Sequence, residues 1–190
     1  MTDGFSIREG TEADIPACLA IDTSIATDWV LHLERLGAEP ELSFRLRWRQ
    51  VAQRRRRDFV FDEDFFRHRL ERGARLLVAE VDATIRGRML LREKWNRTLE
   101  VEDAAVDRPY RRRGLAKALL AEARRIAAGQ GLRAISWEAQ TDNREVIEFL
   151  LANSFRLSGL DYMLYGNDRY ERQLTPEFRG LALFFTLPLE

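Results

Sequence analysis

Cysteine is nearly absent from this 190-residue chain. Cys18 stands alone, so there is no disulfide framework, and with only His32 and His68 beside it the Cys/His set of a structural zinc site is missing. Lysine is almost as scarce: of 31 basic residues only Lys94 and Lys117 are lysines, so cationic work falls to arginine. Excess charge of one sign is missing too, 31 acidic residues against 31 basic ones. That balance argues against the basic surface on which dedicated nucleic-acid binding depends. With 11 Gly and 5 Pro the composition fits neither a collagen-like nor a disordered chain. No stretch approaches the roughly 18 consecutive apolar residues of a membrane helix. The opening MTDGFSIREG has no apolar h-region of a secretion signal. The expectation is a soluble cytoplasmic protein with neither a nucleic-acid nor a membrane partner.

What is present is 45% hydrophobic residues, enough to build a core without a covalent or metal staple. A single domain over residues 1–190 is expected, with 23–72 as its least patterned, variable region. Phe5 to Arg8 reads as a strand, and Thr11 can cap a helix whose apolar face carries Ile15, Cys18 and Leu19. Phe44, Leu46 and Trp48 alternate with Arg45, Arg47 and Arg49, as in a strand with one wet face. Asp62, Glu63 and Asp64 open a helix carrying Phe65, Phe66 and Leu70. Arg75 to Val81 and Ile85 to Arg92, joined at Asp82-Ala83-Thr84, predict a hairpin, and Leu99 to Val106 a further strand. Gly114 to Ala128 is a helix with Leu115, Leu119, Ala123 and Ile126 on one face, stopped by Gly129 or Gly131. Leu132 to Ala139 is a strand, and Asn143 to Ala152 a helix carrying Val146, Phe149 and Leu150. Phe155 to Tyr165 and Leu181 to Leu187 complete the strands of an α/β layer structure.

The chemistry concentrates in Val106-Asp107-Arg108-Pro109-Tyr110-Arg111-Arg112-Arg113-Gly114-Leu115-Ala116-Lys117. The segment leaves a strand, turns at a proline and opens a helix through Arg-x-x-Gly-x-Ala. The N–H groups at a helix start have no intrahelical partner and carry partial positive charge, which suits phosphate. Gly114 and Ala116 remove bulk, and Arg111, Arg112, Arg113 and Lys117 add charge-assisted contacts. A Walker loop is excluded, because Gly-Lys-Ser/Thr is missing. A basic, solvated helix start accounts for the same six residues.

With its flanking strands and with Asn143 opening the next helix, this segment resembles the GNAT superfamily of acetyl-CoA-dependent N-acetyltransferases. Lys94-Trp95-Asn96, Glu102 to Val106, Trp137 to Gln140, Gly159-Leu160-Asp161 and Ala182 to Phe185 resemble the streptothricin acetyltransferase-like group. The resemblance implies the acyl-CoA N-acyltransferase fold, a mixed and mostly antiparallel sheet of about seven strands flanked by helices. It implies acetyl-CoA as acyl donor, no metal, and a small-molecule amine or a peptide as acceptor. The family often dimerises, so a homodimer is possible, but no interface is legible in the sequence.

Residue by residue, the resemblance gives Arg111 to Lys117 the diphosphate. It gives the backbone of Ala104, Ala105 and Val106 the pantetheine arm, with an N–H near Ala105 polarising the thioester carbonyl. Asn143 would hydrogen-bond the pantetheine, although a plain helix cap explains it too, and Asp142 could equally cap. Glu138 takes the base position, since an ammonium with pKa of ~10 must lose a proton before it attacks. Glu102 and Asp103 are candidates for the acceptor side. Strand alternation lets only one of them face it. Many family members carry a tyrosine as acid where this chain has Leu150, so Tyr162 and Tyr165 are the substitutes, each equally readable as packing. Ser154 and Thr186 replace a usual glycine and aromatic.

The remaining features have plain explanations. The seven arginines from Arg45 to Arg57 read as a solvated strand edge. His32 and His68 read as structural or exposed. Two other functions stay open: an acyl-CoA sensor without turnover, which Leu150 favours and Glu138 opposes, and an RNA-associated protein using the Arg45 to Arg57 stretch.

Overall fold

Two residues with positive φ, Asp82 at 49° and Ala83 at 56°, make the tight turn that the hairpin signal predicted. They join β4 (Arg75–Val81) to β5 (Thr84–Glu93), with Val81 opposite Thr84. A computed structural model describes residues 4–38, 40–41, 43–59, 61–161, 163–165 and 181–189. Around the hairpin run β1 (Phe5–Glu9), β6 (Thr98–Val106), β7 (Ala134–Gln140), β8 (Arg156–Asp161) and β9 (Ala182–Pro188). The seven form one sheet in the order β1-β4-β5-β6-β7-β9-β8. Pairing is antiparallel from β1 through β6 and parallel between β6 and β7. The helices are α1 (Ile15–Leu19), α2 (Glu63–Glu71), α3 (Leu115–Gly129) and α4 (Arg144–Ala152). This is the mixed, mostly antiparallel α/β fold that the sequence implied.

The chain divides into two compact units, Met1–Ser24 with Asp58–Trp137 and Thr186–Glu190, and Ile25–Arg57 with Glu138–Phe185. In the first, Ile15, Cys18 and Ile21 bury against Phe66, Leu76, Val78 and Leu90. Each such side chain contributes about 1.5–3 kcal/mol relative to exposure. Asp62 caps α2 through Phe65 N–H at 2.8 Å. The α3 face is as the periodicity predicted, with Leu115, Leu119, Ala123 and Ile126 buried. Burial pushes the Cys18 thiol up to about 11, so it packs as a neutral group and is no nucleophile.

In the second unit, β2 (Ile25–Leu36) and β3 (Ser43–Arg57) form a separate two-stranded ribbon. Leu31 opposes Trp48 and Leu33 opposes Leu46 on one face, while Arg45, Arg47 and Arg49 are exposed on the other. Arg57 pairs with Asp142 at 2.9 Å. The Arg144 guanidinium lies 5.5 Å from the Trp29 ring centre and 5.4 Å from that of Trp48, fastening the start of α4 to the ribbon. The buried face of α4 is carried by Ile147 and Leu150. Val146 and Phe149, expected there, are only half-buried.

Three helices end alike, and one end is strained. After α2, Gly73 N–H reaches Leu70 O and Ala74 N–H reaches Arg69 O; after α3, Gly131 and Leu132 do the same to Ala128 and Ala127. After α4, Ser154 N–H reaches Leu151 O at 3.2 Å and Phe155 N–H reaches Leu150 O at 3.0 Å. All three have the Schellman pattern, whose pivot adopts positive φ: 84° at Gly73, 65° at Gly131 and 68° at Ser154. A left-handed L-residue costs roughly 1–2 kcal/mol, part of which a glycine returns as chain entropy. Ser154→Gly is therefore expected to raise stability by about 0.5–1 kcal/mol. Urea denaturation checks this, and a lowered midpoint would show that the serine side chain matters more than its backbone.

Candidate active site

The site is built on a break in regularity of β6. Its ladder with β5 runs Arg88↔Ala105, Met89↔Ala104 and Leu90↔Asp103, then jumps to Leu91↔Val101. Glu102 is thus an extra residue, a β-bulge, and the strict alternation of faces is lost there. Asp103 receives Arg88 Nε at 2.6 Å and Nη2 at 3.4 Å. Glu102 Oε1 receives Arg92 Nε at 2.5 Å, and Arg69 Nε on α2 stands 3.5 Å from Oε2. Glu102 Oε2 is buried without a hydrogen bond. Arg88 and Arg92 lie four residues apart on one face of β5, so both carboxylates meet that face. This corrects the expectation that only one of them could point to a given side.

Arg88 is the buried charge beside this bulge that sequence reasoning missed. Its side chain is 1% exposed, it also donates through Nη1 to Cys18 O, and it stands 5.2 Å from the Phe66 ring centre. An arginine directly before the apolar run Met89 to Leu91 was the available signal, because arginine is buried only when paired.

β6 pairs in parallel with β7 through Thr98↔Ala134, Leu99↔Ile135, Glu100↔Ser136 and Val101↔Trp137. Past the bulge, Ala104, Ala105 and Val106 continue pairing with β5 and remain half-buried. Val106 leads through Arg108-Pro109-Tyr110 to Gly114, whose φ of 95° makes the turn into α3. No atom lies within 4 Å of where a Gly114 side chain would begin, so conformation and not space requires the glycine. Ala118 N–H is bonded to Gly114 O at 3.0 Å. The N–H groups of Leu115, Ala116 and Lys117 belong to the first turn, which lacks intrahelical acceptors. The Leu115 side chain is core, so only its main chain is available to a ligand.

The loop arginines divide their work. Arg111 donates from Nε to Val106 O at 3.0 Å and from Nη2 to Asp22 O at 3.0 Å. It is thus a strut between two carbonyls, where the motif alone suggested a phosphate ligand. Arg113 lies 5.3 Å from the Tyr110 ring centre. Arg112, Arg113 and Lys117 are exposed.

In the second unit, Asn143 caps α4, with Oδ1 accepting Val146 N–H at 3.3 Å. The cap is Asn143 and not Asp142, which pairs with Arg57. Glu138 follows Trp137 on β7 and is half-buried. The Tyr165 hydroxyl is buried and has no hydrogen-bond partner. Tyr162 lies outside the described residues. Leu150 is fully buried. Among the described residues no three His, Cys, Asp or Glu side chains cluster as a metal site requires, and no helix is long and apolar enough to cross a membrane.

Comparison with known proteins bears directly on this arrangement. The acetyltransferase (GNAT) family model matches residues 34–155. The chain belongs to the GNAT acetyltransferase family. Streptothricin acetyltransferase A of Bacillus subtilis (strain 168) is 33% identical over 81 residues, 43% of this chain and 47% of that protein. The match thus spans about half of that relative. Streptothricin acetyltransferase of Escherichia coli is 27% identical over 122 residues, 64% of this chain and 67% of that protein. A nourseothricin acetyltransferase crystal structure superposes with a TM-score of 0.79 at 26% identity, covering 98% of this chain and 99% of that one. A Bacillus anthracis structure assigned to the streptothricin acetyltransferases, in complex with acetyl coenzyme A, also gives 0.79, covering 98% and 100%. At 20% identity, the latter shows the shared fold.

Proposed function

We propose that this GNAT protein transfers the acetyl group of acetyl-CoA to a primary amine of a cationic, streptothricin-like small molecule, by direct attack in a ternary complex. The observation that carries the reading is the course of β6 past its bulge at Glu102. Past Val101, β6 runs on to the glycine-opened start of α3 with its last carbonyl held by Arg111. That arrangement suits an acyl donor laid along a strand edge with its diphosphate at a helix N-terminus. The two streptothricin acetyltransferases among the relatives support the acceptor class.

In this reading the main-chain N–H groups from Gly114 to Lys117 hold the diphosphate, with Arg112, Arg113 and Lys117 supplying positive charge. Backbone groups of Ala104, Ala105 and Val106 align the pantetheine arm. A main-chain N–H near Ala105 steadies the negative charge that develops on the carbonyl oxygen. Glu138 takes the proton from the attacking ammonium, directly or through water. The Tyr165 hydroxyl, buried and unpartnered, is free to give a proton to the departing thiolate. A thiol with pKa near ~8.5 also leaves tolerably without an acid.

Thiol release from acetyl-CoA, measured across streptothricin, smaller cationic amines and peptides, tests the proposal. Release is expected with the cationic small molecules and not with the peptides. Tight CoA binding without release on any acceptor would sink the enzyme reading in favour of a sensor.

A further inference from the structure

Gly87 of β5 stands opposite Val106, the last residue of β6, and this pairing brings Arg86 beside the turn that follows. Arg86 O accepts Asp107 N–H at 2.8 Å, and Arg86 Nη1 donates to Asp107 Oδ2 at 2.9 Å. The same guanidinium lies over the Tyr110 ring, 4.7 Å from its centre. We propose that Arg86 is a positioning residue for acetyl-CoA: it clamps the turn from Asp107 to Tyr110 and thereby sets the geometry of the loop from Arg111 to Lys117. The inference rests on the diphosphate role given to that loop above, and adds what fixes the loop before the donor arrives.

The loop needs such a clamp. Arg112 has a φ of 65° and Gly114 one of 95°, so two left-handed residues fall close together. Glycine takes that conformation freely, but for an arginine it is disfavoured roughly tenfold. A strained residue of this kind persists only where its surroundings over-determine it. On its N-terminal side, Tyr110 N–H reaches Asp107 O at 2.8 Å and Arg111 N–H reaches Arg108 O at 3.3 Å. On its C-terminal side, the Arg113 guanidinium lies over the Tyr110 ring, 5.3 Å from the centre. One ring therefore touches both the clamp and a cation of the loop, and Arg86 acts on Arg113 through Tyr110.

Folding alone does not account for this arginine. Its Nε is buried without a hydrogen-bond partner among the described residues, and an unpaired buried donor costs stability. The Arg86 side chain is 32% exposed, and an ion pair this open to water adds little to stability. What the guanidinium supplies is geometry, since its planar fork can bond a carboxylate and cover a ring at once.

Arg86→Met, titrated by calorimetry with CoA and with pantetheine, tests the clamp. Pantetheine has the same arm and no phosphate. A loop that keeps its binding geometry about one-tenth of the time binds about tenfold more weakly. CoA affinity is thus expected to fall about tenfold, while pantetheine affinity stays within twofold of the parent. Arg86→Lys, which keeps the charge without the fork, should fall between the parent and Arg86→Met. Tyr110→Leu, which removes the shared ring, should match Arg86→Met and carries the test if the latter does not fold. A CoA affinity within twofold of the parent in Arg86→Met or Tyr110→Leu, or an equal loss of both ligands, would overturn the inference. A parent that binds pantetheine as tightly as CoA would overturn it together with the diphosphate role of the loop. Thiol release with streptothricin separates it from the proposed reaction. Arg86-dependent CoA affinity without release keeps the clamp and removes that acceptor. Release whose KM for acetyl-CoA ignores Arg86 does the reverse.

Discussion

Arg88→Ala is expected to lower folding stability by about 3–5 kcal/mol, the cost of stripping one partner from a buried ion pair. The Asp103 side chain is 7% exposed and that of Arg88 1%. With the arginine gone, Asp103 would keep its burial and lose both guanidinium bonds, while Cys18 O would lose a donor and Phe66 its stacked neighbour. A chain of this size loses about 2–4 °C in melting temperature per kcal/mol, so thermal unfolding resolves the effect easily. Replacing both partners, Arg88→Met with Asp103→Leu, should recover much of the loss, because an apolar pair leaves no stranded charge. A single variant within 1 kcal/mol of the parent would mean that water reaches Asp103 and that the pair is not closed.

Glu138→Gln is expected to reduce kcat about 10²- to 10⁴-fold at neutral pH, the usual reach of a positioned base. The acetyl-CoA KM should stay within twofold, since glutamine is isosteric and the diphosphate is proposed to be held by other residues, Gly114 to Lys117. Near neutrality only about one alkyl amine in a thousand is uncharged when its pKa is ~10. The variant should therefore regain rate as pH rises towards that value, so that its deficit against the parent shrinks. A variant with the parent's rate and pH profile would move the base elsewhere. Glu102, with one buried oxygen lacking a hydrogen bond, is then the next carboxylate to test.

Much of the scaffold was legible because its signals are local. Three-and-four spacing marks α3, tight-turn chemistry marks the β4–β5 hairpin, and an acidic cap marks α2. The ribbon strand β2 was not legible. Thr27 to Leu36 mixes polar and apolar residues, and its register with β3 shifts between Thr27 and Trp29, which breaks the period-two pattern. The loop from Arg111 to Lys117 could be found from composition, but the job of Arg111 could not. Its partner Asp22 is 89 residues away, and only the folded chain brings that carbonyl near. The Glu102–Asp103 pair was misjudged for a related reason. Alternation is a rule for regular strands, and a bulge leaves no mark in the identity of two adjacent acidic residues.

That single extra residue also sets the course of β6. A bulge sets two residues against one, bends its strand and sharpens the local twist. Glu102 does so between Val101 and Asp103, just before the stretch that leads to α3. Deleting Glu102 would let Leu91↔Val101 pass directly to Leu90↔Asp103, so the register with β5 would stand while the bend was lost. The direction in which the edge from Asp103 to Val106 runs is therefore encoded in the count of residues as well as in their kind.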